Sequence, residues 1–494
     1  MEVDVKDKGP DKGPEEQWHP ALPPGQTFMV FGGMLLVILL AALDQTIVST
    51  ALPKIVGELH GFEYYSWVAT IYMLASTITV PIYGKLSDLF GRKYILLFGI
   101  AVFLAGSAWC GAATSMLTLI AARGVQGLGA GALLPVVFAT MGHLYSPRDL
   151  GKYNALVAAA FVLASVIGPP IGGYITDDLS WRWVFYVNVP LGILAAAVIV
   201  ALMPAFKSDK PRVRIDFVGA GLLMTGLSLV LLWVDGASAL TAMSVEWVRL
   251  MAGVGVAMLG VFVWHQYRTA EPLMDPRLLI GNRVVLMSGL ITMVTGVTMI
   301  GMTYYMPLFF QAVLGYSATG SGNLMLPISV ASGIGSVISG WLAARSGRYR
   351  WNTLTGALVL NAGLAFLLFN LGTQASIAGI VIATSVMGLG LGVGVSLYGT
   401  IVRNAVALSQ MGQAQAGLTL FRQIGSTFGM AMCGALMNAE VNASGAINID
   451  AITKPAFITG LQHIYVAVFA LSLVATVLVF FLKEIPLRSA STDE

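Results

Sequence analysis

A few residues in this chain combine an ionisable side chain with an apolar neighbourhood, and they set the chemistry available to it. Asp44 stands inside the apolar run 28–51, Arg123 inside 117–141 and Arg422 inside 411–438. A charged side chain at the centre of a membrane helix costs about 2.5–3.5 kcal/mol on insertion scales. Such a group faces a water-filled cavity or a partner of opposite charge. Desolvation favours the protonated form of a carboxyl, and a nearby cation favours the ionised form. A carboxylate whose surroundings alternate can therefore load a proton in one state and release it in another. Asp44 is the candidate for that step. Its alternative is a static buried charge paired with Arg123 or Arg422. Arginine keeps its charge at any working pH. Arg123 can thus hold and release a carboxylate, or else anchor itself to backbone carbonyls. Gln126 lies one turn along the same helix and can share either task. Arg422 has no acidic residue in its run apart from Glu440 near the end. It either faces a cavity, as counter-charge to Asp44 or to an anionic substrate group, or snorkels to the interface.

These residues need a scaffold that lives in lipid. Hydrophobic residues make up 57% of the 494 and charged residues 10%, with mean hydropathy +0.80. A soluble chain carries about 25% charged residues. With so few charges this chain cannot cover a water-facing surface, so it faces lipid over most of its area. Its net charge of +3 and the lack of a basic run give no sign of nucleic acid. Cys110 and Cys433 both sit in apolar runs, so neither a disulfide framework nor a cysteine metal site is expected. The five histidines, His19, His60, His143, His265 and His463, are scattered at tails and helix ends. That scatter argues against a membrane enzyme.

A spanning helix needs about 20 mainly apolar residues. Fourteen such runs are present: 28–51, 66–86, 94–113, 117–141, 152–174, 183–204, 216–236, 247–267, 284–308, 320–343, 352–372, 376–401, 411–438 and 459–482. An even number places both termini on one side. That side collects 21 of the 27 Lys and Arg residues, and the other only Lys54, Arg182, Arg249 and Lys454. By the positive-inside rule both termini are cytoplasmic. The expected organisation is a disordered cytoplasmic tail (1–27), a six-helix bundle (28–204), two inserted helices with a linker (205–283), a second six-helix bundle (284–485) and a C-terminal tail (486–494).

The two bundles read as copies of one unit. GKLSDLFGRK (84–93) after the second run is matched by GWLAARSGRY (340–349) after the tenth, so Gly84, Gly91 and Arg92 recur as Gly340, Gly347 and Arg348. QGLGAG (126–131) is matched by MGLGLG (387–392). Asp88 aligns with Ala344 and Arg123 with Thr384, so the second copy keeps the glycines and loses the charges. Duplicated halves with a site between them are the plan of many secondary transporters. Charges confined to one half suit alternating access better than a symmetric channel filter.

LDQTIVSTALP (43–53), GKLSDLFGRK (84–93), RGVQGLGAGALLP (123–135) and GPPIGG (168–173), followed by WRWVFYVNVPLG (181–192), together resemble the 14-helix drug:proton antiporter branch of the major facilitator superfamily. The resemblance covers essentially all of 28–485. It implies an all-α integral membrane protein with two six-helix bundles plus two inserted helices. It also implies export of lipophilic compounds against a proton gradient, in a bacterial plasma (inner) membrane. No cofactor is implied beyond that gradient. The expected partners are a small lipophilic substrate, protons and membrane lipid, and the chain reads as a monomer. Arg123 would take part in proton coupling. In the family the GPPIGG motif extends further towards the N-terminus, with a glycine where Ala164 stands. An importer, or an exporter of lipid or metabolite on the same fold, is the rival reading.

The remaining motif residues have physical roles to fill. Gly84 and Gly91 permit a tight turn and close helix approach. Asp88 is placed to meet a helix N-terminus of the opposite half, where partial positive charge gathers. Such a latch would close the inside, whereas Arg92 and Lys93 can serve as orientation anchors. Gly168, Pro169, Pro170, Gly172 and Gly173 suit a bending or sealing point against the second half. Candidate cavity residues are Thr46, Tyr72, Asn188, Tyr304, Tyr305, Gln311, Asn361, Arg422 and Gln423. The alternative for any one aromatic is simple packing. The shortage of acids within the second run (66–86) and the ninth to thirteenth runs (284–438) favours neutral, monocationic or zwitterionic lipophiles over polycations.

Overall fold

At bilayer depth there is no water to satisfy a peptide group, so each apolar run must close its hydrogen bonds within itself. The runs answer by becoming helices. The computed structural model describes residues 23–145, 150–205, 216–234, 245–269, 272–372, 376–407, 410–443 and 454–485, and no strand occurs among them. The expected tail through residue 22, the linker 206–215 and the tail 486–494 lie outside the described residues.

The first half comprises α1 (Pro24–Leu59), α2 (Tyr65–Phe90), α3 (Arg92–Gly111), α4 (Met116–Leu144), α5 (Leu150–Tyr174), the short α6 (Trp183–Tyr186) and α7 (Asn188–Leu202). The insert is α8 (Phe217–Val234) and α9 (Val245–Arg268), followed by the short α10 (Pro276–Leu279). The second half comprises α11 (Arg283–Leu308), the short α12 (Ala318–Leu324), α13 (Leu326–Ser346), α14 (Arg350–Asn370), α15 (Ile377–Asn404), α16 (Met411–Ala443) and α17 (Lys454–Phe480). Among the described residues, thirteen helical segments are long and apolar enough to cross a membrane. The remaining expected span, α16, is 33 residues long. Gln413, Gln415, Arg422 and Gln423 make it more polar than the others.

Several helices outrun the apolar runs that signalled them. The first begins at Pro24, with proline near its start where the missing N–H is harmless, and continues through Pro53. The sixth expected span is two pieces, α6 and α7. The tenth is likewise split, into α12 and α13.

The halves repeat one packing scheme. In the first, α4 packs on α2 and α3, and α1 packs on α5 and α7. In the second, α15 packs on α13 and α14, and α11 packs on α16 and α17. The matched glycine motifs explain the central contact. A methyl group at Gly127 or Gly131 would run into α2, at Tyr72 and at Ser76 and Thr79, whereas one at Gly129 would run into Gly99 and Phe103 of α3. The same alternation recurs when Gly388 and Gly392 meet Ile328 and Ser332 of α13, and Gly390 meets Gly356 and Leu360 of α14. Three small residues, two apart, thus let one helix press its backbone against two neighbours.

Two ends of the bundle can be told apart by charge. The basic end carries the 84–93 loop together with Arg345, Arg348, Arg350 and Lys483; the far end carries Lys54, Arg182 and Lys454. The insert sits at the seam of the halves. Leu227 and Leu231 of α8 cluster with Leu74 and Ile78 of α2 and with Ala431 of α16.

Asp216, at the basic end, ties the insert together. Its carboxylate accepts the backbone N–H of Gly219 at 2.7 Å and the Gln266 amide at 2.6 Å, and lies 2.8 Å from His265 Nε2. Burial pushes this carboxyl up, but the hydrogen bonds from Gly219, His265 and Gln266 outweigh it and hold it below the usual carboxylate range. A depressed folded-state value gives stability that is full at neutral pH and fades as pH falls through it. Losing a helix cap costs about 1 kcal/mol. Asp216→Ala is therefore expected to lower the unfolding temperature of the purified protein at pH 7. The gap to wild type should narrow in acid, and a gap independent of pH would contradict the assignment.

Candidate functional site

Asp44 lies on α1, and the first half assembles around it. Arg123 Nη1 donates to Asp44 Oδ2 at 2.8 Å. Gln126 Nε2 and Asn188 Nδ2 donate to Oδ1 at 2.7 and 2.8 Å. All four side chains are fully buried. Every partner of the carboxylate is a donor, which is what an ionised carboxylate needs. A second ring of contacts surrounds the cluster, leaving Arg123 Nη2 and Asn188 Oδ1 without a partner among the described residues. Arg123 Nη1 also donates to Gln126 Oε1 at 2.6 Å, and Arg123 Nε to the Val68 carbonyl at 3.2 Å. Ser107 Oγ accepts from Gln126 at 2.8 Å and from Asn188 at 3.4 Å. The guanidinium lies 4.0 Å from the Tyr72 ring centroid, a cation–π contact.

The cluster draws on five helices, and local sequence explains how. Arg123 and Gln126 are three apart and share one face of α4. A methyl at Gly106 would strike the Gln126 backbone, so this glycine brings α3 close enough for Ser107 to reach in. Asn188 opens α7, directly after the turn that holds α6. That turn is pinned at the far end of the bundle by Trp181, which is fully buried and donates to Glu58 at 2.7 Å. Of the two arginines open to Asp44 as a partner, the structure pairs it with Arg123 and not with Arg422. In the second copy Thr384 replaces Arg123 and donates to its own helix, at Ile380 O. Met387 replaces Gln126 and packs on Gly363.

The candidate cavity residues separate into groups. Thr46 donates to Ala164 O at 3.2 Å and also back to its own helix, so it joins α1 to α5. Tyr72 belongs to the Arg123 cluster, and so does Asn188, which was expected to line a cavity. Tyr304, Tyr305 and Gln311 lie where the halves meet. Asn361 joins α14 to α17 by donating to Thr476 Oγ1 at 2.8 Å. Gln423 Oε1 is buried without a partner among the described residues. Arg422 lines a cavity of about 60 Å³ between α11, α15 and α16.

The halves are joined at the far end. Tyr65 Oη donates to Tyr304 O at 2.7 Å, Gln311 Nε2 to Thr50 O at 2.9 Å and Asn438 Nδ2 to Glu63 O at 3.1 Å. The GPPIGG motif forms the closest approach. Gly168 and Gly172 sit against Thr46, Ile47 and Thr50 of α1, while Gly173 meets the backbone at Ala318 and Thr319. Gly322 in turn meets Pro169 and Pro170. A side chain at Gly173 or Gly322 would force the halves apart. The helix passes through Pro169 and Pro170 and loosens into a π-helical turn, Ile175–Leu179.

That turn presents Asp177 to the other half. Asp177 accepts the backbone N–H of Thr319 at 2.7 Å and of Ala318 at 3.3 Å, and the Thr319 hydroxyl at 2.7 Å. Lys54 Nζ lies 3.9 Å from the same carboxylate. A carboxylate capping a helix start across the seam is the contact expected of Asp88. Asp88 instead pairs with Arg92 of its own loop at 3.4 Å, and Arg92 also donates to Ala139 O. The physical reason is the closed far end, which carries the capping contact there. Gly91 fits its turn, with φ of 92°. Gly84 does not, because it lies inside α2 with open space beside it. Sequence reasoning missed Asp177, since an Asp near a helix end gives no sign of a partner some 140 residues away.

The Major Facilitator Superfamily model matches residues 34–430. Multidrug transporter protein MdtP of Bacillus subtilis (strain 168) is 35% identical over 415 residues, 83% of this chain and 75% of that protein. Multidrug resistance protein 3 of the same organism is 34% identical over 411 residues, 83% of this chain and 79% of that protein. A bacterial homolog of the human lysosomal transporter Spinster, solved inward-facing and unoccupied, superposes with TM-score 0.66 at 13% identity, covering 93% of this chain and 98% of that one. The chain belongs to the Major Facilitator Superfamily and is a membrane transporter, not an enzyme.

Asp177→Ala should weaken the far-end join by about 1 kcal/mol, the worth of a helix cap, or about fivefold in the balance of open and closed far ends. Cysteine labelling at Thr319→Cys, compared with and without Asp177→Ala, reads this balance. Equal labelling would contradict the capping role.

Proposed function

We propose that this protein exports small lipophilic compounds in exchange for protons, by alternating access, with Asp44 as the proton-carrying group. The observation that carries the reading is the Asp44 cluster: one carboxylate at membrane depth, dry, held by one permanent cation and two amides. A proton placed on Asp44 removes the charge that Arg123 answers, and the cluster must rearrange. Arg123 then needs other acceptors, and Gln126 Oε1 and Val68 O already supply two. Protonation is thereby tied to movement of α1 against α4. Movement of α1 reaches the seam directly, because Thr50 and Gln45 accept hydrogen bonds from Gln311 and Tyr304 of the other half. Names of relatives support efflux: two carry "multidrug" in theirs. With the basic end in the cytoplasm, the far-end join makes this an inward-facing arrangement. Asp88 would latch in the opposite one.

The test is transport in proteoliposomes with an imposed pH gradient, using neutral, cationic and zwitterionic fluorescent lipophiles. Wild type should show gradient-driven flux, reduced at least about tenfold by Asp44→Asn. Removing one member of a buried pair costs about 3–5 kcal/mol of stability, so folding of the variant is checked by its elution as a single species. Undiminished gradient-driven flux in folded Asp44→Asn overturns the reading.

A further inference from the structure

Two arginines stand at membrane depth, and only one of them has an acid. Arg123 is matched by Asp44. Arg422 has neither an ion pair nor a hydrogen-bond acceptor for its guanidinium among the described residues. It opens instead onto the cavity of about 60 Å³ that Thr292, Tyr398, Gln415 and Thr419 also line. Among the described residues, no acidic side chain lines that cavity. Thr292 is 8% exposed, and its hydroxyl has no partner among the described residues. Arg403, one turn further along α15, donates to Gly399 O at 3.2 Å and adds positive charge on the basic side.

An uncompensated guanidinium at this depth is costly and is a sign of a ligand or pathway. The guanidinium offers a planar fork of donors, matched to a carboxylate, sulfonate or phosphate. The spare Thr292 hydroxyl adds a further donor from the neighbouring helix. The volume is about twice a water's share of the liquid, which suits a charged head and not a whole drug. Past Thr295, Gly394 and Tyr398 a second cavity of about 30 Å³ continues between Leu360, Leu391 and Ala475, with Thr298, Thr353 and Ser472 also on its wall.

We propose that Arg422 and Thr292 form the subsite for an anionic group of the substrate, so that the protein accepts amphiphiles bearing one anionic head, zwitterions included. This rests on the export reading for its direction, but not for the binding step. The head docks on Arg422 in the second half. The first half carries the proton chemistry and the second half reads the charge of the cargo.

Equilibrium binding with no gradient tests this separately from antiport. The full chain is placed in phosphatidylcholine nanodiscs and titrated with 1-pyrenebutyrate and with its neutral match, 1-pyrenebutanol. Binding is read by energy transfer from tryptophan. Wild type should prefer the carboxylate about tenfold, the worth of one charge-assisted hydrogen-bond pair. Arg422→Gln should erase the preference, and Arg422→Lys should retain part of it. Thr292→Val, which removes only a hydroxyl, should weaken pyrenebutyrate alone, about threefold; it keeps the test open if Arg422→Gln does not fold. Equal affinities in wild type, or a preference that survives in Arg422→Gln, overturn the proposal. Phosphatidylglycerol discs at high salt separate two sources of the same chemistry. Unchanged pyrenebutyrate binding supports a solute subsite, and its loss assigns the site to a lipid headgroup and overturns the substrate reading. A failure of gradient-driven flux would leave these binding results standing.

Discussion

The structure turns on one ion pair that neither member can leave alone. Arg123 cannot shed its charge, and at its depth there is no water to answer it. The same holds for Asp44 as long as it is ionised. The pair therefore fixes the relative positions of α1 and α4, and through Gln126, Ser107 and Asn188 it fixes α3 and α7 as well. A buried pair of this kind contributes little net stability, because desolvation offsets the attraction. On the proposed function its value lies in having two arrangements, with one added proton changing which is preferred. No other ion pair as short and as buried occurs among the described membrane-depth residues.

The second half shows what the same scaffold looks like without that chemistry. Its central helix α15 keeps the glycine spacing of α4 and presses on two neighbours in the same way. Thr384 and Met387 stand where Arg123 and Gln126 stand in the first half, and they satisfy themselves locally. Packing was therefore kept by the duplicated unit while charge was not. Among the described residues, the one charge that the second half holds at depth, Arg422, is in a different place and lines a cavity.

Much of this was legible in the sequence, for identifiable reasons. Apolar runs announce spanning helices because lipid allows nothing else, and small residues at fixed spacing announce close contact. Asp44, Arg123 and Gln126 stood out because charge or amide in an apolar run is expensive. Asn188 was visible as polar but not as a partner, since the contact closes across more than 140 residues. The seam was less legible still. Tyr304 and Gln311 looked like cavity residues because an aromatic or amide on a membrane helix has the same composition whether it lines a pocket or seals one. Asp177 caps a helix of the other half whereas Asp88 pairs within its own loop, and the local sequence around each does not distinguish the two.

The inserted hairpin has a mechanical consequence. It touches one helix of each half, α2 and α16, through Leu227 and Leu231 against Leu74, Ile78 and Ala431. Under the proposed alternating access the halves rock, and the hairpin cannot then stay in register with both. Nothing in that patch of leucine, isoleucine and alanine donates or accepts a side-chain hydrogen bond, so sliding there breaks none. The polar fastening of the insert is kept at its own end, between Asp216, His265 and Gln266. The hairpin is thus fastened by polar contacts within itself and meets the two halves through apolar ones, which on the proposed cycle makes it a bearing for the two halves.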